Sequence, residues 1–284
     1  MSIVVTGATG HLGRLIVDGL LRDGVAPAEI VAAGRNTAKL TELGNRGVRV
    51  VQMDYSDPES MAVAFAGAST LMLVSSSEVG QRATQHAAAI DAARLAGIGH
   101  VVYTSAPKAD TTTLVLAPEH KITEELIRAS GIPFTILRNG WYTENYVGTA
   151  AQAKETGVVA ASVGDGLVSS ASRVDYADAA VAVLTGVGHE NKVYELSGDI
   201  AWSHTELAAV LADILGRDVV YTSLSDEDHL AALQAAGLDA GTAGFVVALD
   251  ADTRNGLLGE TSGELTALIG RPTTPLREGL VAAL

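Results

Sequence analysis

The stretch IVVTGATGHLG, residues 3–13, places glycines at positions 7, 10 and 13 directly after an apolar run. An amphipathic helical pattern follows it up to residue 20. Glycines at this spacing let the chain turn sharply and let its backbone approach a pyrophosphate, which unpaired N–H groups at the helix N-terminus attract. This context favours a dinucleotide-binding turn over the alternative, a strand-turn-helix with only a structural role.

Outward from this turn, the first 138 residues alternate between short apolar runs and amphipathic stretches. The predicted strands are Ser2–Thr6, Ile30–Ala33, Val48–Met53, Thr70–Val74, His100–Thr104 and Phe134–Leu137. Helical patterns lie between them, among them residues 82–96 and 119–130. Strands that alternate with helices in this way indicate a parallel sheet with helices on both faces.

The second half is less regular, with strands predicted at Val193–Ser197 and Val219–Thr222 and a mostly helical pattern from Ser225 onward. We therefore predict an α/β fold: a doubly wound parallel sheet (Rossmann-like) with a smaller C-terminal, mostly helical substrate lobe. The prediction is a single NAD(P)-binding domain over residues 1–284. Its nucleotide-binding core covers about 1–138, and a substrate-covering lobe lies mostly in 139–284.

The composition narrows the class of protein. The chain has 284 residues, of which 48% are hydrophobic and 18% charged, which is typical of a folded protein. It has no cysteine, and its histidines show no metal-ligand spacing, so we expect no metal site. A net charge of −14 argues against nucleic acid as a partner. We expect no membrane span and no signal peptide, and hence a cytoplasmic protein; a homodimer is an open alternative.

The end of the second strand indicates which nicotinamide nucleotide binds. The segment IVAAGRN, residues 30–36, carries no acidic residue that could accept hydrogen bonds from the ribose of NAD. Arg35 stands there instead, and a guanidinium pairs well with a 2′-phosphate. This favours NADPH, with no flavin; the alternative is that Arg35 is a solvated surface residue.

Polar residues after the third and fourth strands are further cofactor candidates, because ligands of open α/β sheets bind at the carboxyl ends of strands. Asp54 and Tyr55 follow the third strand, where an adenine would lie. Ser75, Ser76 and Ser77 follow the fourth, near the expected nicotinamide ribose. A plain turn fits these serines nearly as well.

The catalytic pair common in short-chain dehydrogenases, a tyrosine with a lysine four residues later, is missing: no lysine has a tyrosine four positions before it. An alkoxide product needs a positioned acid, whereas a quinone yields a phenol-type oxygen that ionises near pH ~10. The absence therefore disfavours alcohol dehydrogenases and sugar epimerases. His120 is the candidate proton donor, and the alternative is a residue that only packs near the cofactor.

Several segments resemble NmrA-like proteins and, within them, bacterial NAD(P)H:quinone oxidoreductases. They are TGATGHLG at the front, GIPFTILRNGWYTENY at 131–146, GDGLVSSASRVDYADAA at 164–180, GHENKVYELSGDIAWSHTELA at 188–208 and LIGRPTTPL at 268–276. Their collinear order extends the resemblance over essentially the whole chain.

The resemblance implies hydride transfer from NADPH to a quinone. By similarity, the residues that hold the cofactor are Gly7, Thr9, His11, Leu12 and Arg35, beside Gly10 and Gly13 of the glycine-rich turn. The residues implied to line the cleft beside the nicotinamide are Arg138, Asn139, Gly140, Trp141 and Tyr142, the first two also as cofactor contacts. Two alternatives stay open: a reductase of another planar acceptor, such as a triphenylmethane dye, and an NADP(H)-binding redox sensor without turnover.

Overall fold

The computed structural model describes residues 2–284, which form two compact units. The first contains the chain up to Asp110 together with Pro118–Asn139 and Arg173–Glu195. The second contains Thr111–Ala117, Gly140–Ser172 and Leu196–Leu284. The return of Arg173–Glu195 to the first unit has no counterpart in the division predicted near residue 138.

The strands of the described chain are numbered in chain order. They are β1 Ile3–Val5, β2 Ile30–Gly34, β3 Arg49–Gln52, β4 Thr70–Leu73, β5 His100–Ser105, β6 Phe134–Asn139, β7 Val158–Ala161, β8 Leu167–Val168, β9 Lys192–Leu196, β10 Trp202–Ser203 and β11 Val220–Ser223. The eight predicted strands are confirmed to within two residues at each end. The short strands β7, β8 and β10 were missed because two to four residues carry too little periodicity to predict a strand.

The helices carry their own numbers. They are α1 His11–Arg22, α2 Thr41–Asn45, α3 Pro58–Phe65, α4 Arg82–Leu95, α5 Ala117–Ala129, α6 Val147–Thr156, α7 Arg173–Thr185, α8 His204–Leu215, α9 Asp226–Ala235, α10 Ala240–Arg254, α11 Glu264–Ile269 and α12 Leu276–Ala283. Within residues 2–284, none of these helices is both long and apolar enough to cross a bilayer.

A seven-stranded sheet organises the first unit, with the strand order β3-β2-β1-β4-β5-β6-β9. The pairings β2–β3, β1–β2, β1–β4, β4–β5 and β5–β6 are all parallel. The order reverses direction at β1, which is the feature of a doubly wound sheet, and the predicted fold class is confirmed. Since β1 lies between β2 and β4, the loops that leave these three strands meet at one edge.

The core of the first unit explains the valine-rich runs of the sequence. Every residue of β1, β2 and β4 is buried, as parallel strands covered on both faces require. Helix α1 turns Leu12, Ile16 and Leu20 inward, and it lies close to α7 because Gly19 has no side chain there. A Cβ on Gly19 would come within 2.8 Å of a Val181 methyl group.

Local signals set several helix ends. The side chain of Asp57 accepts hydrogen bonds from two backbone N–H groups, and Pro58 is the first residue of α3. Ser203 and Glu206 form a capping box at the start of α8. Helix α7 begins at Arg173, so Asp175 lies inside its first turn and not at its N-cap, and it is fully buried.

Candidate cofactor and active site

The glycine-rich turn after β1 has the geometry that its sequence predicts. Gly7 has a φ of +61°, a backbone conformation that residues other than glycine rarely adopt. Its carbonyl accepts a hydrogen bond from the N–H of Gly10 at 2.9 Å. A Cβ on Gly13 would lie 2.4 Å from the Gly7 oxygen, so the first helical turn packs directly on the turn. The N-cap of α1, Gly10, supplies no side-chain hydrogen bond, which leaves the first N–H groups of α1 for an anion.

The other predicted residues of this turn, Thr9, His11 and Leu12, have different surroundings. Thr9 packs against Gly34 at the end of β2, where a Cβ would come within 2.6 Å of the threonine methyl. His11 is exposed as the first residue of α1, whereas Leu12 is buried. The turn is therefore locked to β2 through a second glycine, Gly34, which the sequence analysis missed.

Arg35 follows β2 and its side chain is 65% exposed. Its Nη1 donates to Oε1 of Glu78 at 2.6 Å. Glu78 belongs to the loop after β4, so this ion pair joins the loops on either side of the glycine-rich turn.

Asp54 and Tyr55 follow β3, and the two residues have different surroundings. The carboxylate of Asp54 accepts from the N–H of Ser56 at 2.8 Å and shapes the turn. The hydroxyl of Tyr55 lies 2.7 Å from Oγ1 of Thr6 and 2.8 Å from the carbonyl of Val74, and burial raises its pKa. Tyr55 thus ties β3 to the ends of β1 and β4.

The loop after β4 contains Ser75, Ser76 and Ser77, and buried side chains hold it in place. The N–H of Ser75 donates to Oγ1 of Thr104 at 2.9 Å. The N–H of Ser76 donates to Nε2 of His86 at 3.0 Å. Ser77 is exposed.

His86 is a neutral tautomer whose proton position follows from its contacts. Because Nε2 accepts from Ser76, the ring proton is on Nδ1, which lies 3.0 Å from Oγ1 of Thr123. The hydroxyl of Thr123 in turn donates to the carbonyl of Glu119 at 2.8 Å. Burial, aided by the charge of Arg82, lowers the pKa of His86 to about 3. Arg82 also donates from Nε to the carbonyl of Ser76 at 2.7 Å, so both polar groups of Ser76's backbone are held.

His120 lies in the first full turn of α5 and is 6% exposed. Its Nδ1 lies 2.7 Å from the hydroxyl of the buried Tyr103. Burial, with the charge of Arg82, lowers its pKa to about 3, so the ring is neutral at physiological pH. Its Nε2 makes no hydrogen bond to the described residues.

Arg138, near the end of β6, lies among carboxylates and not in an open site. Its Nε and Nη2 contact both oxygens of Glu124 at 2.9 and 2.6 Å, and Nη1 contacts Glu195 at 2.8 Å and Asp110 at 2.9 Å. Ser105 donates a further hydrogen bond to Glu124 at 2.7 Å. The guanidinium is 6% exposed, and the network of charges holds the end of β6 to α5.

The segment after β6 divides between the units. Asn139 is buried at the end of the strand in the first unit, while Gly140, Trp141 and Tyr142 belong to the second and are half-buried. Within the second unit the carbonyl of Trp141 accepts from the N–H of Ala171 at 3.1 Å, and Tyr142 forms an isolated bridge with the same residue.

Sequence reasoning missed the buried polar residues that fix the loops: Arg82, His86, Tyr103, Thr104 and Glu124. Their partners are distant in sequence, so no spacing rule identifies them. Among residues 2–284, no cluster of three or more histidine, aspartate or glutamate side chains could hold a metal.

The reversal of strand order at β1, the glycine turn locked against α1 and the exposed arginine after β2 define a dinucleotide-binding α/β protein of the Rossmann-like class. The chain belongs to the NAD(P)H-binding family, whose sequence profile matches residues 7–186.

The similarity to solved and curated proteins extends over the whole chain. Quinone oxidoreductase 2 of Escherichia coli K12 is 47% identical over 278 residues, which is 98% of this chain and 97% of that protein. The structure of the NADPH-dependent quinone oxidoreductase from E. coli in complex with NADPH matches with a TM-score of 0.95 at 46% identity, over 99% of each chain. Triphenylmethane reductase of Citrobacter sp. in complex with NADP(H) matches with a TM-score of 0.94 at 39% identity, over 100% of each chain. The predicted family is thereby confirmed.

Proposed function

We propose that this protein is an NADPH-dependent oxidoreductase that reduces a quinone. The observation that carries the proposal is the glycine-rich turn with Arg35 beside it, in a chain similar from end to end to an NADPH-dependent quinone oxidoreductase. The missing tyrosine–lysine pair agrees with an acceptor that needs little acid catalysis.

The turn fits the cofactor physically. Glycine at position 13 lets the first turn of α1 pack against the Gly7 carbonyl, and the open N-terminus of α1 offers N–H groups and a partial positive charge to the pyrophosphate. Arg35 would pair with the 2′-phosphate through its planar guanidinium. The cofactor supplies the hydride when bound; the chain's own residues bind and orient it.

Several residues of the first unit would complete the binding site. Gly7, Thr9, Gly10, His11, Leu12 and Gly13 would surround the phosphates, and Asp54 and Tyr55 would border the adenine. We assign the loop of Ser75, Ser76 and Ser77 to the nicotinamide ribose, because buried side chains fix its backbone.

Two further assignments depend on where the residues lie at the end of β6. Asn139, Gly140, Trp141 and Tyr142 would contact the substrate, and the flat rings of the last two suit a planar acceptor. Arg138 would act through its carboxylate network, by holding the end of β6 from which this segment starts. The cytoplasmic location and a homodimer stay predictions.

His120 is our candidate for the proton donor, acting through a hydrogen bond. Tyr103 holds its Nδ1, and when the tyrosine hydroxyl donates, the ring proton lies on Nε2 and can donate a hydrogen bond to the acceptor oxygen that becomes charged as hydride arrives. Because the ring is neutral, it keeps this proton, and the proton that the product oxygen finally takes up comes from water. His120→Ala should lower kcat for quinones by about tenfold or more, with a small change in KM for NADPH. His100→Asn, at the opposite end of β5, is the matched control and should leave kcat unchanged. Equal kcat values for wild type and His120→Ala would remove His120 from the reaction.

The assay for the function mixes purified protein with NADPH and a panel of benzoquinones, naphthoquinones and triphenylmethane dyes and follows nicotinamide absorbance. We expect oxidation of NADPH with quinones. Turnover with dyes alone would instead support the second candidate, which the similarity to the Citrobacter reductase favours. Tight NADPH binding without turnover of any acceptor would support the redox sensor.

A further inference from the structure

The ion pair between Arg35 and Glu78 lies beside the glycine-rich turn. Arg35 leaves β2 and Glu78 follows β4, and these strands are the two neighbours of β1 in the sheet. The pair therefore links the loops that flank the dinucleotide-binding turn, at the residue that would bind the 2′-phosphate.

Glu78 is a fixed charge. Its Oε2 accepts from Nε2 of Gln85 at 2.8 Å, and its backbone N–H donates to Oγ of Ser76 at 3.2 Å. Ser76 is itself held on both sides of its backbone by His86 and Arg82. The carboxylate thus remains near Arg35 and does not swing freely into solvent.

Gln85 adds a second observation. The residue is 6% exposed, and its Oε1 is an enclosed atom without a hydrogen-bond partner among the described residues. The amide orientation is set by chemistry, because a carboxylate can only accept and Nε2 must therefore face Glu78. A buried amide that leaves its own oxygen unsatisfied is placed to orient the Glu78 carboxylate.

We propose that Glu78 is a specificity-determining residue: its carboxylate competes with the adenosine 2′-phosphate for Arg35 and so weakens the preference for NADPH over NADH. The inference rests on the proposed function. A phosphate dianion must share the guanidinium with the carboxylate or displace the carboxylate from it, and the two anions repel each other. NADH has no 2′-phosphate at this place. Since both side chains are partly exposed, the effect is that of a surface ion pair, roughly two- to fivefold in affinity.

The test measures dissociation constants for NADPH and NADH by calorimetry at fixed ionic strength. Glu78→Gln keeps the shape and an oxygen that can accept from Gln85, but removes the charge. It should tighten NADPH binding by about two- to fivefold and change NADH binding by a clearly smaller factor. Asp178→Asn is the matched control, since it also removes a carboxylate paired with an arginine, Arg22 at the far end of α1; the ratio of the two affinities should not change.

A double-mutant cycle separates competition from simple repulsion. With Arg35→Met as background, Glu78→Gln should gain less than about twofold for NADPH, because there is no longer a guanidinium to compete for. Weaker NADPH binding in Glu78→Gln, an equal change for both nucleotides, or the full gain without Arg35 would overturn the inference. If wild type binds NADPH tightly and Arg35→Met selectively weakens it, these results leave the proposed function intact; absence of NADPH binding to wild type would refute that function itself.

Discussion

Two arginines lie at the carboxyl ends of strands in the same sheet, in opposite surroundings. Arg35 follows β2, is 65% exposed and contacts the carboxylate of Glu78. Arg138 lies in β6, is 6% exposed and is surrounded by Glu124, Glu195 and Asp110. An exposed charge with one partner can exchange that partner for a ligand at little cost, whereas a buried charge surrounded by carboxylates cannot.

The difference extends to the neighbours of each arginine. Burial alone would lower the pKa of the Arg138 guanidinium, but its hydrogen bonds to the surrounding carboxylates have the larger effect, so the pKa is raised. Polar residues of β5, α4 and α5, among them Tyr103, His86 and His120, are also buried and are neutral or paired. We therefore propose that the carboxyl ends of β1 and β2 serve binding, whereas the buried polar residues after β5 and β6 hold the loops in place.

The largest expected effect is on the interior side of this comparison. Arg138→Met leaves Glu124 buried without its guanidinium, and we expect the free energy of unfolding to fall by about 3–5 kcal/mol. Urea titration measures it. Arg22→Met, which removes an exposed ion pair with Asp178, should cost less than about 1 kcal/mol. Similar small losses for both variants would break the distinction between the two arginines.

The second largest effect is expected at Gly13, where α1 packs against the glycine-rich turn. Gly13→Ala pushes a Cβ to 2.4 Å from the backbone oxygen of Gly7, which no side-chain movement relieves. We expect a destabilisation of about 1–3 kcal/mol and a loss of NADPH affinity, measured by urea titration and calorimetry. Gly148→Ala, on α6 with open space around it, is the control and should not destabilise the protein. A Gly13→Ala protein that binds NADPH normally would contradict the packing argument.

The glycine-rich turn and the buried polar residues were not equally predictable from the sequence. The turn of Gly7, Gly10 and Gly13 is local, so its spacing alone predicts a strand, a tight turn and a helix start, and the same holds for the cap at Asp57. The Ser76 loop depends on His86 of α4, ten residues further along the chain, whose ring reaches the loop only in the folded structure.

Charge illustrates the same limit. Arg35 and Arg138 each follow an apolar run, and nothing local distinguishes them. The partners of Arg138 come from three separate places in the chain, α5, β9 and the loop after β5. Only the folded chain brings these carboxylates together, so the network could not be predicted from the sequence; the place of Arg138 beside the nicotinamide, which the family resemblance implies, stays a prediction.

The neutral histidines give the interior a pH dependence. His120 has a pKa of about 3 in the folded protein and ~6.5 when unfolded, so between these values the unfolded chain binds the extra proton and stability falls as pH falls. His120→Asn should therefore flatten the decline by roughly 1.4 kcal/mol per pH unit between about pH 6 and 4. Urea titrations at several pH values measure the two slopes. Parallel curves for wild type and variant would mean that His120 takes up its proton in the folded state.

Removal of the exposed arginine should affect binding and leave the fold intact. Arg35→Met loses a charge-assisted contact with the 2′-phosphate, and we expect NADPH affinity to fall about tenfold, with NADH affinity changed less than about twofold. Its unfolding free energy should match wild type within about 1 kcal/mol. Equal losses for both nucleotides would show that Arg35 does not recognise the 2′-phosphate.

Salt gives the smallest effect and compares the two arginines directly. Screening shortens the reach of exposed charges from about 10 Å at 0.1 M to about 3 Å at 1 M, while buried pairs are screened far less. The ratio of NADPH to NADH affinity should therefore fall by roughly two- to fourfold over this range, as the attraction between Arg35 and a phosphate weakens. The stability difference between wild type and Arg138→Met should stay constant within about 0.5 kcal/mol, because the side chains of Arg138 and Glu124 are only 6% and 3% exposed and a buried pair is screened little. A constant nucleotide ratio together with a salt-sensitive Arg138 would reverse the roles, and the exposed arginine would then be the structural one.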